Sequence, residues 1–149
     1  MKFLATALLA LLVAAPAAHA SYAYPNQRDA ASNPTVAKTI TDGTKWLGTQ
    51  NVQPCPNVTV LMAPDFSADG NGIPGGGRAI ECTVWLELRL VSAANNRRDW
   101  YASFSLCAVA VHELAHTAGI EHGERMTRLN EAAQSWCDRR AWRLVLARR

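Results

Sequence analysis

Residues 112–122 read His112-Glu113-Leu114-Ala115-His116-Thr117-Ala118-Gly119-Ile120-Glu121-His122, and no other stretch constrains the fold as strongly. Two histidines four residues apart project from one face of a helix. Two neutral imidazoles at that spacing can hold a Zn²⁺ ion, with Glu113 beside them as a candidate general base. Gly119 accepts a positive φ without a Cβ penalty, so the helix can stop there and the chain can turn sharply. Such a turn would return His122 to the same ion as a third ligand. The chain has four histidines. One, His19, lies in a segment expected to be removed, and the other three all fall in this stretch. A helix carrying histidines by chance gives no reason for that concentration.

The pattern is H-E-x-x-H-x-x-G-x-x-H without a gap, and it resembles the zinc-binding signature of the metzincin metalloproteases. The approach to it, Asp99-Trp100 and then residues 106–111 leading into His112, is similar to that of the matrixin type. The resemblance covers residues 79–126. It implies a compact zincin-like domain acting as a secreted zinc endopeptidase on protein or peptide substrates. It further implies one catalytic Zn²⁺ held by His112, His116 and His122, the fourth position being left to water. Glu113 would take the proton of that water and pass it to the leaving amine. The family also carries a methionine in a tight turn beneath the ion. Met126, four residues past His122 and with no proline after it, is the one methionine available for that place.

Two other readings stay open. Asn130-Glu131-Ala132-Ala133 resembles the gluzincin arrangement, in which a glutamate on a later helix is the third ligand, here Glu131. Alternatively the chain is a non-catalytic exported domain that binds zinc structurally or engages a partner. A structural zinc site normally draws all four ligands from protein, and no fourth group is at hand if the cysteines are paired.

The first twenty residues have the form of a secretory signal peptide: Lys2, an apolar run over residues 3–13, and Ala18-His19-Ala20 as a small-x-small cleavage site. Pro16 interrupts the end of the run, and no stop-transfer flank follows. Cleavage after Ala20 leaves residues 21–149, a length suited to one domain with one core. The net charge of +3 falls to +2 on loss of Lys2. That is too mild to indicate nucleic acid or a membrane surface as a partner. A monomer in a secreted, periplasmic or extracellular setting is expected. Four cysteines, Cys55, Cys82, Cys107 and Cys137, then argue for two disulfides. Three pairings are possible; Cys55–Cys82 with Cys107–Cys137 is preferred, because each joins elements expected to be neighbours.

The expected fold class is α+β, with a small mixed sheet, an active-site helix and a C-terminal helix. After an irregular arm over residues 21–34, Asn33-Pro34 reads as the cap and first turn of a helix ending near Gly48. Residues 57–63 read as a strand. Residues 64–78 read as a Gly- and Asp-rich loop. Its Asp65, Asp69 and Asn71 could offer oxygen ligands to Ca²⁺, but the loop does not fit the twelve-residue calcium pattern. Residues 79–91 alternate apolar and polar and read as one long strand, a candidate edge for an extended substrate. The active-site helix should start between Ser103 and Ser105 and end at Gly119. A last helix should span residues 128–147.

Overall fold

Asn33 places its side-chain oxygen on the amides of Thr35 and Val36, at 3.0 and 3.2 Å, and Pro34 occupies the first turn, so α1 (Pro34–Thr49) starts as expected. The computed structural model describes residues 28–30, 32–64, 77–95 and 99–147. The signal segment and the proposed Ca²⁺ ligands Asp65, Asp69 and Asn71 lie outside them. Among the described residues, four helices and a four-stranded mixed sheet make up an α+β fold. The strands are β1 (Arg28–Asp29), β2 (Thr59–Ala63), β3 (Gly77–Ile80) and β4 (Thr83–Glu87), in the order β1-β2-β4-β3. β2 and β4 run parallel, and the outer strands are antiparallel to their neighbours.

Two expectations are corrected here. The arm is not irregular throughout: Arg28 and Asp29 pair with Met62 and Leu61, and the amide of the buried Ala30 donates to the Val60 carbonyl. The long strand over residues 79–91 is instead a hairpin followed by a helix. Glu81 has φ of 52°, a left-handed conformation that breaks an extended run. Cys82 beside it is bonded to Cys55, and its carbonyl accepts from the Thr59 amide. Beyond β4 the chain enters α2 (Leu88–Asn95), whose Leu90, Val91 and Ala94 are buried at helical spacing. The alternation of Leu86, Leu88 and Leu90 imitated a strand because a short apolar run fits either period.

α3 (Trp100–Thr117) runs through the centre of the domain. Asp99, upstream of the expected serines, caps it by accepting from the Ala102 amide at 3.0 Å. Its buried residues lie on nearly every side, as befits a helix covered by other elements. One flank, through Ala102, Leu106 and Ala110, meets the sheet residues Val60, Val84 and Leu86. The other, through Cys107, Val111 and Leu114, meets α1 and α4 (Glu124–Leu146). Both disulfides have the preferred pairing, Cys55–Cys82 and Cys107–Cys137, the second joining α3 to α4. Closing loops of about thirty residues, each stabilises the fold by roughly 3–4 kcal/mol in the chain-entropy account. Met126 is not in a separate turn. It sits in the first turn of α4, buried with Val111, Leu114 and Ala115. Among the described residues, no helix is long and apolar enough to cross a membrane.

Candidate metal centre

α3 carries His112 and His116 on successive turns and stops at Thr117. Gly119 has φ of +75°, and its amide donates to the His116 carbonyl at 2.9 Å. The chain therefore reverses within three residues, and His122 comes back over the end of the helix. The three Nε2 atoms converge: 3.1 Å between His112 and His116, 3.1 Å between His116 and His122, and 3.2 Å between His112 and His122. The only group of three or more potential metal-binding side chains among the described residues is this one. Glu131 is exposed on α4 and is not part of it.

The chemistry of these nitrogens fits a cation. Nδ1 of His116 lies 2.7 Å from the Ile120 carbonyl, which can only accept, so that nitrogen carries the proton. Nδ1 of His112 lies 3.2 Å from Asn130 Oδ1, which is likewise an acceptor. In the neutral rings both Nε2 atoms then present lone pairs, 3.1 Å apart. Lone pairs at that distance repel unless something positive lies between them. A proton is disfavoured: burial, with repulsion from the neighbouring imidazoles, holds both His112 and His116 below the usual histidine range. A tetrahedral ion with Zn–N bonds of about 2.0–2.1 Å separates its nitrogens by about 3.3 Å, close to the spacing found. The three-histidine group can therefore hold a metal ion.

Glu113, next to His112 on α3, is only 6% exposed and lines the same cleft as the three histidines. Burial raises its pKa to about 7, the charge of Arg78 offsetting part of the rise. The edge strand β3 lies directly over it. A Cβ on Gly77 would come within 2.7 Å of Glu113 Cγ and 2.8 Å of Val109 Cγ1, so glycine permits the close approach of strand to helix. Gly77, Arg78 and Ala79 line one wall of an open cleft of about 480 Å³, and His112, Glu113, His116 and His122 line another. Among the described residues β3 pairs with β4 alone, so it is an edge strand, whereas β4 is interior.

The structure thus brings His112, Glu113, His116 and His122 to one cleft. It adds two residues that sequence reasoning missed, Gly77 and Asn130. Asn130 left a trace: it is polar on the stripe of α4 that otherwise reads Met126, Leu129, Ala133 and Cys137, all buried. Gly77 left none, since it follows other glycines in a loop-like stretch. The chain matches no family model, no curated protein and no solved structure.

Proposed function

We propose that this protein is a secreted, zinc-dependent endopeptidase of metzincin type, with His112, His116 and His122 as ligands and Glu113 as general base. One observation carries the reading: three Nε2 atoms converge at mutual distances of 3.1–3.2 Å at the edge of a cleft that also holds a buried carboxyl. Zinc, when bound, would supply a Lewis acid for the scissile carbonyl and acidify a water molecule. Glu113 is suited to move the proton. A carboxyl with a pKa of about 7 is partly ionised at neutral pH, so it can accept a proton and then release it to the leaving amine. Arg78 places a positive charge near enough to favour the ionised form. Among the described residues β3 is an edge strand along the cleft, a position suited to pairing with an extended peptide, which fits endopeptidase action on unfolded chains. The two disulfides suit an oxidising compartment outside the cytosol and agree with the signal-like first twenty residues.

Met126 in a helix departs from the family pattern, in which a methionine turn lies beneath the ion. Its side chain nevertheless packs against Val111 and Ala115 in the helix that carries the histidines.

The reading is tested by hydrolysis of unfolded casein. Zinc-loaded protein should cleave it, chelation should stop cleavage, and added zinc should restore it. Glu113→Gln should retain metal yet lose on the order of 10²–10⁴ in rate. Retained hydrolysis in that variant would remove Glu113 from the base role.

A further inference from the structure

The two helical histidines of the cluster are oriented by different means. His116 donates from Nδ1 to the carbonyl of Ile120, four residues on, where the Gly119 turn places it. That bond is local and comes with the end of the helix. His112 has its Nδ1 partner on another helix: Asn130 Oδ1, at 3.2 Å and partly buried. Nothing local can serve His112, because its own turn of α3 is helical and its carbonyls are used within the helix.

Position 130 is set up for this contact. Met126 lies four residues before it, Ala133 three after, and Cys137 seven after, so all four fall on the face of α4 turned to α3. Cys137 is bonded to Cys107, five residues before His112, with the Cα atoms 5.6 Å apart. A covalent bond two turns away thus fixes how far α4 stands from α3 where Asn130 reaches across. An apolar residue at 130 would continue the stripe and pack more simply; the amide instead meets the one imidazole nitrogen that faces it.

We propose that Asn130 is a positioning residue of the metal centre. Its carbonyl oxygen holds His112 in the Nδ1–H tautomer and fixes the ring plane, so that the Nε2 lone pair faces the point where the three histidines converge. The proposal rests on the metal-binding reading of His112, His116 and His122. A ligating histidine whose other nitrogen donates to a fixed acceptor is a better ligand, because no tautomer or ring orientation must be selected on binding.

The test compares zinc affinity, by competition with a chelating dye at pH 8, in the parent, Asn130→Ala and Asn130→Asp. Removing such a partner typically weakens metal binding about 10–100-fold, and that is expected for the alanine variant. Aspartate keeps an oxygen acceptor and adds charge, so Asn130→Asp should bind at least as tightly as the parent. A purely structural asparagine would not give this pattern, since alanine is the better helix former and aspartate the poorer one. The tautomer supplies a readout without metal. Long-range ¹⁵N–¹H correlation of the metal-free protein should show His112 protonated at Nδ1 in the parent and a mixture of tautomers in Asn130→Ala. Parent-like affinity and an unchanged tautomer in Asn130→Ala would overturn the role of Asn130 and leave the metal centre standing. If Asn130→Ala fails to fold, a tenfold loss of affinity in Asn130→Asp would overturn it. No zinc binding by the parent would instead remove the metal centre, and this proposal with it.

Discussion

Arg140 and Glu113 are each about 6% exposed, yet the protein treats the two charges in opposite ways. Arg140, on α4, donates from Nε to Asp42 at 3.0 Å and from Nη2 to Thr39 at 3.2 Å, both on α1. Burial alone would raise the Asp42 pKa, but hydrogen bonds from Arg140 and Lys38 outweigh it and hold that pKa below its usual value. The charges there are kept and matched, which locks α1 to α4. Around Glu113 burial wins, and the carboxyl titrates near neutrality. The Arg140 side of the molecule also borders the larger opening, about 570 Å³ lined by Lys38, Trp46, Trp136 and Arg143 among others. Size alone therefore does not single out a candidate site. A buried carboxyl with a raised pKa in the same cleft as three converging imidazoles is the more specific signal.

The comparison is broken most strongly through Glu113. Its raised pKa means that the folded state favours the protonated form. The associated stability is fully present below about pH 4.5 and is lost as pH rises through about 7. At about 1.4 kcal/mol per pKa unit, that rise amounts to roughly 3 kcal/mol. His112 and His116 act in the opposite direction: their lowered values make stability fall as pH drops below the usual histidine range. Comparing Glu113→Gln with the parent largely cancels that contribution. In metal-free protein with its disulfides intact, the variant should become more stable relative to the parent between pH 4.5 and 7, by about 3 kcal/mol at pH 8. Denaturant unfolding at several pH values reads this directly. A constant difference across the range would mean that Glu113 is not held in its protonated form.

A smaller effect is expected at the matched pair. Asp42→Ala leaves Arg140 buried without its counter-charge. Because Asp42 is itself 27% exposed, the loss should be about 2 kcal/mol rather than that of a fully buried pair. Zinc affinity should not change, since the pair lies on the α1–α4 side and contributes nothing to the histidine cleft. A loss of stability accompanied by a tenfold loss of zinc affinity would show that the two regions are coupled.

What the sequence revealed of the fold and the candidate site were their local features. Asn33, Gly119 and the i, i+4 histidines each act within a few residues, so spacing and residue type suffice to read them. What escaped depends on contacts between distant segments. The break at Glu81 follows from a turn tied down by Cys55 and by the Thr59 amide, neither of which shows in the alternation of residues 79–91. Met126 joined α4 because that helix starts at Glu124, directly after His122-Gly123, leaving no room for a separate turn. Gly77 and Asn130 acquire their meaning only when β3 and α4 are laid against α3. The sequence drew attention to Glu131, one residue from the side chain that meets His112.

The central claim is that His112, His116 and His122 together hold one metal ion. Zinc titration of the purified, metal-stripped protein, with His122→Ala and Glu131→Ala beside it, tests this most directly. The account predicts one equivalent bound by the parent, a sharp loss of affinity in His122→Ala, and parent-like binding in Glu131→Ala. Absence of zinc binding in the parent, or undiminished affinity in His122→Ala, would contradict it.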